Sequence, residues 1–293
     1  MLEHLNPSPI KPARVVVLGA QGFVGNAIAE RLDHDRVDVL RLGRKEVDLL
    51  AADAADRLAA YLRANDALVA VAAIAPCKNA AMLRDNLTMI LAIATAIARV
   101  PLAHVVNISS DAVYADSAAP LTETSPMAPD TLHGVMHLAR ELVFKAETKA
   151  PLAMLRPTLI YGAHDPHNGY GPNRFRRLAA GGQDIVLFGE GEERRDHVLV
   201  DDVAEIATRV LYRRSIGALN VATGVVTSFR DIAEAVVRLS GRTVPIKGSP
   251  RQGAMPHNGY RPFDIAACRA AFPDFSYVSL VDGLAKAQAE DAG

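Results

Sequence analysis

The run Arg14-Val15-Val16-Val17-Leu18, closed by Gly19-Ala20-Gln21-Gly22-Phe23-Val24-Gly25, restricts the folds open to this chain more than any other segment. A β-branched stretch that stops at a glycine, followed by helical spacing of apolar residues from Phe23 to Leu32, predicts a strand, a tight turn and a helix. In that setting each glycine has a task. The first permits the turn, the second lets backbone approach a pyrophosphate, and the third lets the helix pack closely, while the helix N-terminus offers unpaired N–H groups to the anion. Gly19, Gln21, Gly22, Phe23, Val24 and Gly25 are therefore expected to hold a dinucleotide. A glycine-rich turn without a ligand would need neither the strand before it nor the helix after it.

The alternation continues beyond the loop. Val37 to Leu42, Ala67 to Ala72 and His104 to Ile108 read as strands, and Ala51 to Arg63 and Ala80 to Arg99 as helices. Half the residues are hydrophobic, only 5% are aromatic and none is Trp, a mix that suits parallel strands covered by helices. The expected fold is α/β, a doubly wound parallel sheet of the Rossmann type with a smaller C-terminal substrate-binding lobe. The dinucleotide-binding domain is placed at residues 12–156. Residues 157–293 form mainly the substrate lobe, with some segments returning to the first domain. Within that part Gly162 to Pro172 reads as a long loop serving a site. Asp184 to Phe188 reads as a strand, and Val203 to Tyr212, Phe229 to Leu239 and Leu280 to Glu290 as helices.

A formal net charge of -1 provides no field for nucleic acid or an anionic membrane. Cys77 and Cys268, the only cysteines, are too few for a disulfide framework or a cysteine-rich metal site. The start, Met1 to Pro9, carries an acid and prolines where an export signal needs a basic end and an apolar run. The apolar runs Ala67 to Ala75 and Met89 to Ala98 fall short of the roughly 20 residues that span a bilayer. A cytoplasmic location with neither nucleic-acid nor membrane partner is expected.

Where an NAD-selective domain often carries an acid for the ribose 2′-hydroxyl, this chain reads Leu40-Arg41-Leu42-Gly43-Arg44-Lys45. Arg44, supported by Arg41 or Lys45, suits a 2′-phosphate, because guanidinium pairs with phosphate in a fork geometry. This favours NADP slightly over NAD, the alternative being a solvated basic turn. Asp48, expected after a further short strand, is placed to accept a hydrogen bond from the adenine amino group.

Together with the glycine loop, three segments carry a family resemblance. They are Ser109-Ser110-Asp111-Ala112-Val113-Tyr114, Arg156-Pro157-Thr158-Leu159-Ile160-Tyr161-Gly162 and Arg194-Arg195-Asp196-His197-Val198-Leu199-Val200-Asp201-Asp202. In this order they resemble the extended short-chain dehydrogenase/reductase family, and within it the NAD(P)-dependent epimerase/dehydratase branch, from Arg14 to about Gly283. The resemblance implies a nucleotide-sugar substrate, a reaction by epimerisation, dehydration or keto-reduction, and a homodimer. It matches Ser110 to the hydroxyl that bonds the reacting sugar oxygen. It matches Arg195 and Arg251 to the arginines that hold the diphosphate, and makes Asn173 a further nucleotide contact. Asp111 stands where dehydratases carry an acid, but Ala112 replaces their glutamate, which argues against 4,6-dehydration.

The chain departs from the family at its acid-base pair. The family's Tyr-x-x-x-Lys falls on Leu132-His133-Gly134-Val135-Met136-His137, where both positions are histidine. In one reading His133 is the general acid/base, since imidazole titrates near neutral pH, and His137, four residues on and so on the same helix face, bonds the cofactor ribose. In the other the protein is a catalytically silent dinucleotide or nucleotide-sugar binding or regulatory protein. Tyr114, Tyr161 and Tyr170 do not replace the missing tyrosine. A zinc site on the two histidines lacks a third ligand, so no metal is expected.

Overall fold

A computed structural model describes residues 2–292. The first half alternates as the sequence pattern predicts. After β1 (Glu3–His4) come β2 (Arg14–Leu18), α1 (Phe23–His34), β3 (Asp38–Leu42), α2 (Ala54–Tyr61), β4 (Ala67–Ala70), α3 (Ala80–Arg99), β5 (His104–Ile108), α4 (Leu132–Glu147) and β6 (Leu152–Pro157). Beyond these lie β7 (Leu159–Tyr161), α5 (Pro172–Ala180), β8 (Ile185–Phe188), β9 (Arg194–Leu199), α6 (Val200–Tyr212) and β10 (Ser215–Val221). The chain closes with β11 (Val226–Ser228), α7 (Phe229–Ser240), β12 (Ile246–Ser249), β13 (Tyr260–Arg261), α8 (Ala266–Ala271) and α9 (Leu280–Ala292).

The main sheet has seven strands in the order β1-β10-β6-β5-β4-β2-β3, parallel except at β1. Period-2 alternation sends Val15 and Val17 of β2 into a core with Ile28 and Leu32 of α1 and Val203, Ile206 and Val210 of α6. Val16 and Leu18 enter the opposite core with Leu58 of α2, Ile90 and Ile93 of α3 and Phe144 of α4. Because both faces are covered, β4 and β2 from Val15 onward are apolar along their length and lack an amphipathic pattern. By length and composition α3 could cross a bilayer. It instead packs between α2 and α4, with Ile90, Ile93 and Ile97 buried against the sheet.

At Thr158 the chain leaves the first sheet. β7 pairs with β9 in a second sheet, and β9 also takes β11 and β13 as neighbours. Tyr161, Phe175, Leu187, Phe229, Ile232 and Leu284 form a separate core there, drawn from segments distant in sequence. α6 and β10 return to the first sheet and its core.

Three local expectations change. β1, a two-residue strand inside the proline-rich start, is too short to give a periodic signal. It is fixed by pairing with β10, by a 2.8 Å contact between His4 Nδ1 and Ser215 Oγ, and by His4 Nε2 donating to the Ala271 carbonyl at 3.0 Å. No further strand lies between β3 and Asp48, since 43–50 is a series of turns in which Asp48 Oδ1 accepts the Leu50 N–H at 3.1 Å. α6 begins at Val200 rather than Val203, with Asp201 and Asp202 in its first turn, where carboxylates meet the positive end of the helix dipole.

Candidate active site

A cleft of about 840 Å³ opens at the carboxyl ends of the strands, where β3 and β4 flank β2 and the winding reverses. Gly19 has φ +96°, and its N–H donates to the Leu42 carbonyl at 2.8 Å. A side chain at Gly19 would place a Cβ 2.7 Å from the Ala72 nitrogen, and one at Gly25 would strike the Gly19 carbonyl. Gly19, Gln21, Gly22, Phe23 and Val24 line the cleft, while Gly25 lies behind them in the packing between helix and strand. Gly22 caps α1 with no side-chain acceptor, which leaves the N–H groups of the first turn for an anion. These features fit a dinucleotide pyrophosphate.

Farther along the cleft stand Arg44 and Asp48, 3.5 Å apart. The Arg44 side chain is 79% exposed, so its guanidinium is available at the cleft mouth. Arg41 is turned away to an ion pair with Asp33.

At the other end, Ser110, Asp111, His133 and His137 line one wall. α4 reaches Ser110 because Gly134 packs on the Ala112 carbonyl, where a Cβ would collide, and Thr131 caps the helix by accepting the Gly134 N–H at 3.1 Å. Ser110 Oγ accepts the Ala112 N–H at 3.1 Å and lies 3.4 Å from Asp111 Oδ1, so it caps a short turn while facing the cleft. The His133 and His137 rings meet edge to face, 4.7 Å between centroids. His133 Nδ1 is 3.4 Å from the Cys77 N–H, a long contact that biases its tautomer without fixing it. Burial lowers the His133 pKa and the Asp111 charge opposes this. His137 is held well below the ordinary imidazole value by burial, then by His133 and Arg140, and its Nδ1 is buried without a partner. It is uncharged at neutral pH and does not reproduce a lysine ammonium.

The cation beneath this pair is Arg140, on the same face of α4 and fully buried. It donates to the carbonyls of Ala72 at 2.6 Å and Ala70 at 2.8 Å and to Asn107 Oδ1, with no carboxylate among these partners. Burial lowers its pKa to about 10, still charged at neutral pH. Arg140 thus braces the Ala70–Ala72 segment on which Gly19 rests. In sequence it is one arginine among many in helices, and only the strand ends packed above it reveal the role.

The tyrosines are committed elsewhere. Tyr114 donates to Asn220 Oδ1 at 2.7 Å and accepts from Arg156 at 2.7 Å, and burial pushes its phenol up to about 12. Burial also raises Tyr161 and Tyr170, and Tyr170 accepts the Phe188 N–H at 3.0 Å. Among the described residues no cluster of three metal-ligating side chains occurs.

The expected substrate contacts divide. Arg195 lines the cleft, with its guanidinium 3.3 Å from Glu193. Arg251 does not line it. Its guanidinium lies 3.7 Å from the other oxygen of the buried Glu193, 3.8 Å from Glu192, and donates to the Phe188 carbonyl at 3.2 Å. The two arginines therefore converge on one carboxylate from positions 56 residues apart in sequence. Asn173, early in α5, accepts the Gly162 N–H at 3.1 Å and lines a smaller cavity adjoining the cleft. Asp111 is paired with the fully buried Arg261 at 2.9 Å, a partner 150 residues away that sequence patterning does not single out.

Residues 15–222 match the NAD dependent epimerase/dehydratase family, and the chain belongs to that family. A UDP-glucose 4-epimerase of Mycolicibacterium smegmatis is 28% identical across 93% of this chain and 96% of its own length. A dTDP-L-rhamnose 4-epimerase of Burkholderia thailandensis is 32% identical over 138 residues, 44% of this chain but only 38% of that relative. In three dimensions, the Thermus thermophilus UDP-glucose 4-epimerase in complex with NAD superposes with a TM-score of 0.84 at 23% identity, covering 96% of this chain and 99% of the other. The shared fold is therefore the Rossmann-like α/β fold of these epimerases.

Proposed function

We propose that this protein is an NAD(P)-dependent nucleotide-sugar epimerase or keto-reductase in which His133 replaces the usual tyrosine as acid-base group. The observation that carries the reading is the grouping of Ser110, His133 and His137 on one wall of the cleft whose other end is the glycine cradle. A bound dinucleotide supplies the hydride exchange. Ser110 Oγ donates to, or accepts from, the reacting sugar oxygen. His133, uncharged at neutral pH, takes the hydroxyl proton when the sugar is oxidised, and the neighbouring Asp111 charge favours the imidazolium that forms. His137 offers a neutral hydrogen-bonding edge to the nicotinamide ribose. Arg195, with Arg251 beyond Glu193, serves the substrate diphosphate, and Asn173, in the adjoining smaller cavity, a further part of the nucleotide sugar.

The second reading, a binding protein without turnover, draws on the uncharged state of His137, because the family's lysine charge is absent from that position. Titration of cofactor-stripped protein with NADH and NADPH, followed by nucleotide sugars, separates the two. The enzyme shows sugar interconversion or a substrate-dependent change in nicotinamide absorbance. Dinucleotide binding with neither response supports the silent reading, and absence of dinucleotide binding removes both.

Arg44 is the basis for proposing NADP as the favoured cofactor. Arg44→Ala is expected to weaken NADPH binding by about 1–3 kcal/mol, the scale of a charged hydrogen bond, while leaving NADH nearly unchanged. Equal losses for the two cofactors would remove the 2′-phosphate assignment.

A further inference from the structure

The smaller cavity, about 240 Å³, adjoins the catalytic wall and shares His133, Leu159, Ile160, Asp165 and His167 with the main cleft. Its volume lies below the roughly 300–1,000 Å³ of pockets that enclose a whole drug-sized ligand, so it suits one group of a larger substrate. Because His133 borders both spaces, the group that enters here is next to the acid-base residue. Under the nucleotide-sugar reading that group is the hexosyl ring.

Its polar lining comprises His133, Asp165, His167, Tyr170, Asn173 and His197, and neither Lys nor Arg lines it. Asp165 is 6% exposed, with Oδ1 accepting the His167 N–H at 3.3 Å. Its nearest cation, Arg177, is 4.0 Å from Oδ2 and does not line the cavity. His197 is buried, with Nδ1 3.1 Å from the Arg195 carbonyl oxygen. A carbonyl only accepts, so Nδ1 carries the proton and Nε2 is a lone-pair acceptor, and Nε2 is buried without a partner. Burial, with Arg195 adding to it, keeps this imidazole uncharged, at a pKa of about 3. Gly171, with φ +123°, lies beside that nitrogen, and a Cβ there would come 3.8 Å from Nε2 and 3.0 Å from the Phe229 ring, so only glycine fits between them.

We infer that this cavity selects the sugar by charge, admitting a hexosyl group whose substituents are hydroxyls or amides and rejecting one that carries a carboxylate. Hydroxyl and amide N–H groups can donate to His197 Nε2 and Asp165. A carboxylate at the same place supplies no donor, meets no cation and faces the Asp165 carboxylate, so its charge is desolvated without a counter-charge. The inference rests on the nucleotide-sugar reading and narrows its substrate class.

The test is calorimetric, on the full chain saturated with reduced dinucleotide, at pH 8. The probes are UDP, UDP-glucose and UDP-glucuronate, with dTDP and dTDP-glucose to cover the other base. UDP-glucose is expected to bind at least about tenfold more tightly than UDP-glucuronate, a difference of about 1.4 kcal/mol. Asp165→Asn, which removes the repelling charge, is expected to narrow that ratio severalfold by strengthening the uronate. Equal or tighter binding of the uronate by the unaltered protein overturns the inference. A ratio unmoved by Asp165→Asn overturns its assignment to this cavity. Failure of both UDP and dTDP to bind is a different outcome, because it removes the nucleotide-sugar reading on which the inference stands.

Discussion

Replacing His133 with alanine is expected to lower turnover by about 10²- to 10⁴-fold, the usual contribution of a positioned acid-base group, while dinucleotide affinity stays near that of the unaltered protein. The separation follows from the layout. Gly19 to Val24 and the N-terminus of α1, proposed to hold the dinucleotide, line one end of the cleft, and His133 stands at the other. The pH profile carries a second signature. Burial lowers the His133 pKa, so the neutral base persists below the ordinary imidazole value of about 6.5, and the acid limb of kcat/KM should lie under that value. Turnover unchanged in His133→Ala, or an acid limb that persists in the variant, would remove His133 from the chemistry.

Glu141→Ala should destabilise the fold by about 3–5 kcal/mol, the cost of leaving a buried charge without its partner. Glu141, on the α4 turn after His137, is fully buried and accepts from Arg156 at 2.8 and 2.7 Å and from Ser109 at 2.7 Å. Alanine would leave the buried Arg156 with the Tyr114 hydroxyl, the Glu123 carbonyl and the Met127 sulfur. Burial alone would raise the Glu141 pKa, but hydrogen bonds and charge from Arg156, with Ser109 and Lys145, bring it below the ordinary value. A depressed carboxylate stabilises the fold above its unfolded-state pKa and loses that contribution as pH falls through the folded one. The unaltered protein should therefore lose this stability below about pH 4.3, and Glu141→Gln should lack that part of the acid slope. Chemical denaturation from pH 3 to 7 measures both effects. A Glu141→Ala midpoint within 1 kcal/mol of the original, on the scale that separates ordinary from buried-charge substitutions, would show that Arg156 finds another partner.

How far the site was legible depended on whether its parts were close in sequence. The glycine loop was readable because strand, turn and helix are contiguous and each constrains its neighbour. His133 and His137 were readable as a pair because four residues bring two side chains to one face of a helix. Nothing local announced that Arg140 would lie under the ends of β4, that Arg261 would hold Asp111, or that Arg195 and Arg251 would share Glu193. Each of these joins residues from different elements, and a guanidinium reads the same in sequence whether it ends in solvent or under a sheet.

The amino-acid order by itself determined the alternating β and α units, the glycine turn between β2 and α1 and the chemical type of the two residues on α4, because backbone conformation and side-chain periodicity are set over a few residues. The tertiary structure alone decided charge and availability. It buried His137 until it was neutral, tied Tyr114 to Arg156 and Asn220, drew Arg251 onto Glu193, and enclosed a cation-free cavity beside His133. The physical reason is that desolvation and pairing energies depend on what packs around a group, and here those neighbours come from across the sequence.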